Sequence, residues 1–422
     1  MFEATEARRG FWRIATAGVL FQGAAAAIDS GTIVATLVYG LTGSAFGVGA
    51  AAAISRAGWL APQLVVGYIA QRRALRMPLY SLGAFGRAAC LAALAALLWF
   101  GAGLPRGWLI GLFFVLWTLF AFIGGIVAVP YNDIVARAVP SQRRSRLLAI
   151  RFFGGGLLAL GVAAAAHAVL AALPFHAGHA ALLLLAASLL LASALFFVSA
   201  REPRAPSGAA AEASFVKFLH AGLITLRENR RFRLFARAQW LGGAAAMALP
   251  FYILQASKTG EPAAVAATLL GAQTVGALLS NALWGWWGDR RGKLSLLGVV
   301  TLLGLVPPLL TLVWIATAAH GLEVAVLPWF VMVFALLGAA GNGSTIAQLA
   351  YLMEISPDDR RPAYSGYFNA FIAPASLLPL IGALLVEAVS LAAVFAVSAF
   401  AMVLQMLVIK RLENARAWSD DR

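Results

Sequence analysis

The stretch GWWGDRRGK, residues 285–293, decides how this chain is read. It is short, glycine-bounded and basic, and it lies between two long apolar runs. A looser copy, GYIAQRR, occupies residues 67–73, 218 positions earlier. A second pair behaves alike: PSQRR at 140–144 recurs as PDDRR at 357–361, 217 positions on. Two independent pairs with nearly one offset mark an internal duplication.

The runs between these loops have membrane length, since about 20 apolar residues span the hydrocarbon as a helix. Twelve are read, at approximately 14–40, 48–70, 78–101, 108–132, 147–173, 180–199, 234–257, 263–287, 294–319, 324–353, 363–388 and 391–409. They do not alternate polar with apolar, and barrel strands would be nearer ten residues. Helices close their own backbone hydrogen bonds in lipid. Of 422 residues only 12% are charged, about half the fraction usual in soluble proteins. The expected fold is all-α: twelve transmembrane helices in two parallel six-helix repeats, 1–200 and 232–422. Residues 201–231 form the connection.

The net charge of +15 is distributed by side. With the N-terminus inside, 28 of the 32 Lys and Arg fall in cytoplasmic segments, and only Arg106 and Lys258 fall outside. That bias predicts both termini in the cytoplasm. The basic excess faces anionic lipid, which removes the reason to expect nucleic acid as a partner. The N-terminal segment predicts an uncleaved first helix, because the first run is too long for a signal peptide. Within the connection, REPRAPSGAAAEA (201–213) reads as a linker. Phe215, Phe218, Leu219, Leu223 and Leu226 then fall at helical spacing among Lys217, Arg227, Arg230 and Arg231, an amphipathic helix at the inner interface.

Twelve helices in a 6+6 repeat, inside termini and a long central connection together resemble the major facilitator superfamily, over essentially the whole chain. Its loop pattern G-x-x-x-D-R-x-G-R/K is complete at Gly285, Asp289, Arg290, Gly292 and Lys293. It is degenerate at Gly67, Gln71 and Arg72, where glutamine replaces the acid and Ala74 the second glycine. The resemblance implies a transporter of the cytoplasmic (inner) membrane whose cytoplasmic gate uses these loops. It also implies charged clusters at Asp133, Arg137 and Arg151 and at Glu354, Arg360 and Arg361. In such a fold the first helix of each three-helix unit lines the central cavity. That places Gln22 and Thr32, Gln239, Tyr252 and Gln255, and Asn342, Thr345 and Gln348 on it. The fifth helix lacks the Gly-Pro pair common in proton-coupled drug exporters, while DSGTIV (29–34) resembles a D-x-T-I-V motif of some exporters with one residue inserted.

Charges at membrane depth are costly and mark function. Asp29 and Arg56 fall about 16 and 14 Å from the outer boundary at a rise of 1.5 Å per residue. The expectation is an ion pair, either a fixed brace or a proton-coupling and substrate site. Gln22, Asp29 and Thr32 would share one helical stripe. Arg87 reads as a snorkelling structural residue. Pro307–Pro308, Pro374 and Pro379 predict bent helices. Cys90 stands alone, so no intrachain disulfide forms. His176 and His179 lack a third ligand, and no metal or other cofactor is expected. The chain has no phosphate-binding loop and no triad that can share a surface, so catalysis is not expected. The reading is a secondary transporter of a small organic solute, acting as a monomer by alternating access and coupled to protons, with efflux the favoured direction. Its rivals are an uncoupled facilitator or uptake permease, a transport-inactive scaffold or sensor, and a multi-pass membrane enzyme.

Overall fold

The computed structural model describes residues 2–70, 73–203, 214–257, 262–320, 325–356 and 361–420. Its regular structure there is helical. In order the helices are α1 (Phe2–Ala27), α2 (Ile33–Thr42), α3 (Ala45–Ala70), α4 (Met77–Phe100), α5 (Arg106–Ala138), α6 (Ser141–Ala172) and α7 (Phe175–Val198). Then come α8 (Phe215–Glu228), α9 (Arg230–Ala246), α10 (Leu249–Ala256), α11 (Pro262–Arg290), α12 (Lys293–Ala319) and α13 (Val326–Ile355). The last are α14 (Arg361–Ile372), a 3₁₀ segment Ala373–Leu377, α15 (Leu378–Ala388) and α16 (Leu391–Asp420).

Among the described residues nine helices are long and apolar enough to cross a membrane. The other three apolar runs coincide with the interrupted pair α1–α2, with α3, and with the interrupted pair α9–α10. The interruptions have local causes. Pro250 enters at the first turn of α10, where its missing N–H costs nothing. Pro374 and Pro379 frame the 3₁₀ segment between α14 and α15. Pro307–Pro308, by contrast, lie inside an unbroken α12, and Thr311 Oγ1 donates to the Pro307 carbonyl at 2.9 Å. Large apolar side chains also face outward, with Phe100 83% and Leu279 77% exposed, as a lipid-facing surface requires.

The helices gather into two units. One holds residues 1–43, 54–211 and 262–271, the other 44–53, 212–261 and 272–422. In the first unit α4 packs on α5 and α7, and α1 on α6 and α7. Tyr80, Tyr131 and Phe197 stack at its core, with ring centroids of the two tyrosines 4.2 and 5.1 Å from that of Phe197. In the second unit α9 packs on α16, and α12 on α13 and α16. Phe232, Phe235, Tyr351 and Phe368 form its aromatic centre. Backbones meet directly where α11 crosses α13. A Cβ at Gly276 would sit 1.9 Å from the Ala335 carbonyl oxygen, and one at Gly338 1.8 Å from that of Gln273. Only bare backbone fits there. In α8, Gly222 lies against Tyr367 and Leu226 packs on the core, while Val216, Leu223 and Ile224 are exposed.

Candidate functional site

The first span is not one helix. Residues Asp29-Ser30-Gly31-Thr32 are turn formers, and they break the helix between Ala27 and Ile33. The Asp29 carboxylate folds back on its own turn: Oδ1 accepts from Gly31 N at 3.0 Å and from Thr32 Oγ1 at 2.8 Å. The Asp29 carbonyl also accepts from Val34 N at 3.0 Å. The carboxylate thus holds the turn that leads into α2, and the backbone carbonyl of the same residue meets the first turn of that helix. At the far end Gly43 takes φ 68° and Arg106 Nε donates to the Leu41 carbonyl at 3.0 Å. Short as it is, α2 is tied down at both ends.

This geometry corrects two expectations. Gln22, Asp29 and Thr32 do not share a continuous stripe, because the helix is interrupted between the first and the other two. Nor do Asp29 and Arg56 pair: among the described residues neither forms an ion pair, and Arg56 is exposed. Their matched depths assume straight helices. Where the chain unwinds, the carboxylate finds donors two and three residues away at less entropic cost than a long side chain on another helix. Thr32 is fully buried, and Gln22 packs against Gly155 of α6, whose missing side chain leaves it room.

Deeper in the same unit lies a cavity of about 130 Å³ bounded by Phe21, Trp59, Tyr80, Arg87, Tyr131 and Arg151. A second, of about 160 Å³, shares Phe21, Trp59 and Arg87 with it and is otherwise lined by apolar residues and Ser55. Arg87 is 3% exposed and its Nε has no acceptor among the described residues. The snorkelling expectation is therefore wrong; ten residues into α4, about 15 Å along it, the side chain cannot reach the helix end. Its guanidinium lies 5.0 Å from the Phe21 ring centroid. Arg151 shares that ring at 5.5 Å, lies 5.2 Å from the Tyr131 ring and donates to Tyr131 Oη at 3.1 Å.

The charged cluster expected at Asp133 and Arg137 forms without Arg151. Asp133 Oδ2 meets Arg76 Nε at 3.0 Å and Arg137 Nη2 at 2.5 Å. Arg137 Nη2 also meets Glu202 Oε1 at 2.8 Å, and Nη1 donates to the Pro203 carbonyl. Glu202 in turn accepts from the backbone N–H groups of Arg76 and Met77 at 2.7 and 2.8 Å, closing the start of α4. Arg76 and Glu202 escape a sequence reading because each is far along the chain from Asp133. The one available signal is an acid immediately after the last apolar run of a half that is poor in acids.

In the second unit the polar residues part company. Tyr252 is 2% exposed and packs on Phe334 and Phe395. Gln239 Nε2 and Gln255 Oε1 are buried without partners among the described residues. Asn342 donates to the Ala277 carbonyl at 3.1 Å and to Asn281 Oδ1 at 2.7 Å, joining α13 to α11. Thr345 is exposed and turns back on the Gly341 carbonyl, while Gln348 is half-buried one turn on. In the loop at 285–293 Gly292 takes φ 90°, which glycine alone adopts freely. Arg290 and Arg291 stack near Trp286 and Trp287 at 5.9 and 5.0 Å. Asp289 makes no ion pair among the described residues, and Lys293 opens α12. Gly285 and Gly67 face open space, so neither serves a close helix contact. Glu354 ends near the C-terminus of α13 and Arg361 begins α14. Gln71, Arg72 and Arg360 lie outside the described residues. His179 Nδ1 engages the Phe175 carbonyl at 2.8 Å, an ordinary helix-start contact. Among the described residues no three His, Cys, Asp or Glu gather to hold a metal.

Helices of this length, number and composition among the described residues define a multi-pass membrane protein. Residues 238–420 match the family model of the Major Facilitator Superfamily. Solved structures share the fold over nearly the whole chain. A POT family transporter in complex with a thioalcohol-conjugated peptide has a TM-score of 0.74 at 12% identity, covering 96% of each chain. A mutant of the nucleoside transporter NupG has 0.72 at 13%, covering 96% of this chain and 99% of its own. A D-xylose-proton symporter has 0.68 at 16%, covering 94% and 95%. No curated protein sequence matches.

Proposed function

We propose that this protein is a secondary transporter that moves a small organic solute across the cytoplasmic membrane by alternating access, coupled to protons. On this reading it crosses the membrane twelve times, with both termini inside. The charge bias of the loops supports that orientation. The fold it shares with a D-xylose-proton symporter and with POT and nucleoside transporters supports the mode of action.

One observation carries the coupling: Asp29 stands at the break of the first span and, among the described residues, accepts only from local, neutral donors. Broken helices at a membrane midplane are where ion sites form. A carboxylate held by a cation would resist protonation, whereas one held by a backbone N–H and a hydroxyl exchanges its proton without stranding an unpaired positive charge. Gln255 and Gln239, whose buried amide atoms lack partners among the described residues, are the second unit's candidates for solute contact. The 285–293 loop and the Arg76–Asp133–Arg137–Glu202 network are proposed as parts of the cytoplasmic gate.

The test is Asp29→Asn. The amide keeps an oxygen for the Gly31 and Thr32 bonds and cannot titrate. In proteoliposomes, with a solute identified by thermal-shift screening, the variant is expected to lose accumulation driven by a pH gradient and to retain exchange without one. Undiminished gradient-driven accumulation would refute the coupling and favour the uncoupled facilitator.

A further inference from the structure

Two cations that line one cavity of the first unit have no counter-charge among its described residues. Residues 1–200 contain only four carboxylates, Glu3, Glu6, Asp29 and Asp133. Asp133 is committed to Arg76 and Arg137, and Asp29 to its own turn. Glu6 lies twelve residues along α1 from Gly18, which touches Arg151; that is about 18 Å of helix. Glu202 is taken by Arg137 and the start of α4. Yet Arg87 is almost wholly buried with its Nε unpartnered, and the buried Nε of Arg151 is likewise without an acceptor among the described residues. Both arginines line the 130 Å³ cavity and share the Phe21 ring.

An unpaired buried charge costs several kcal/mol; Arg87 is buried and Arg151 half-buried, and a fold keeps both beside one cavity when something outside the chain completes them. We propose that this cavity is a binding site for an organic oxyanion, a carboxylate or phosphate head on an apolar or aromatic body. The planar donors of Arg87 and Arg151 match such a head group. The 160 Å³ compartment that shares Phe21, Trp59 and Arg87 with it, walled by Ile28, Phe120 and Leu190, takes the body. The backbone is built to admit Arg151: a Cβ at Gly18 would fall 2.8 Å from its Cγ. Asp29 lines neither compartment, so binding here stands or falls without the transport reading.

The oxyanion has two possible sources, a soluble metabolite or the head group of an anionic lipid. Thermal midpoints and calorimetric titrations of the purified protein in neutral detergent test the first with benzoate, hexanoate and phenyl phosphate, against benzyl alcohol as neutral isostere. Nanodiscs of phosphatidylglycerol against phosphatidylcholine test the second. At least one anion is expected to bind saturably and to raise the midpoint, with benzyl alcohol inert. Arg87→Gln and Arg151→Gln are each expected to weaken that anion about tenfold or more. Gly18→Ala, which displaces Arg151 without removing a charge, should weaken it as well; it serves as the check if a glutamine variant fails to fold. Soluble anions acting alone assign a metabolite site, and phosphatidylglycerol acting alone assigns a lipid site. The proposal is overturned if no anion in either arm binds in an arginine-dependent way, or if benzyl alcohol binds as well as benzoate.

Discussion

The first unit contains two pairs of arginines that treat their charge in opposite ways. Arg76 and Arg137 have carboxylates beside them: Asp133 forms an ion pair with each, and Glu202 and the Pro203 carbonyl also meet Arg137. Arg87 and Arg151 have aromatic rings, one tyrosine hydroxyl and a cavity. The first arrangement fastens the start of α4 to α5, with Glu202 also closing the first backbone N–H groups of α4. The second leaves attraction unspent toward whatever enters. A single residue type thus serves as a fastening in one place and as a receptor in the other, and the supply of carboxylates decides which.

Four measurements break or sharpen that contrast, taken from the largest effect down. Arg137→Met strips Asp133 and Glu202 of their shared cation and should lower stability by about 2 kcal/mol, less than a fully buried pair because Asp133 is 39% exposed. Arg87→Met should do the reverse, raising stability of the ligand-free protein by about 1 kcal/mol, since a methionine fills the space without an unpaired charge. If both variants lower the thermal midpoint alike, the two pairs are not different in kind. Glu202→Gln keeps one of the two oxygen acceptors at the start of α4 and loses the negative charge beside Arg137. A loss of about 0.5–1 kcal/mol is expected, and it should shrink with added salt. Tyr131→Phe removes one hydrogen bond to Arg151 and leaves its ring contact. Stability should change by about 0.5 kcal/mol at most, while affinity for the anion falls several-fold, which calorimetry separates.

The duplicated loops and the apolar runs make the helices legible in the sequence, because lipid admits so few backbone solutions. The interruption at DSGT is legible too, as turn chemistry, but the apolar residues around it pull a reading toward one straight helix. Only a straight helix sets Asp29 level with Arg56. Depth along a helix follows from counting residues; the direction a side chain takes from a broken helix does not. Arg87 is a related case. Its distance from the helix end is countable, and ten residues exceed the reach of a snorkelling side chain. The partnership of Asp133 with Arg76 and Glu202 lies beyond any local pattern, since only the packing of α4 beside α5 brings those residues together.

The glycine contact between α11 and α13 bears on how this sequence can drift. At most buried positions a bulky replacement is rescued by trimming a neighbouring side chain. Here the obstacle to a Cβ at Gly276 or Gly338 is the opposing main chain itself, the carbonyls of Ala335 and Gln273. No second substitution trims a carbonyl, so neither position has a compensating partner. Relief comes only if the two helices separate as whole bodies, and the Asn342 amide that ties α13 to Ala277 and Asn281 resists that.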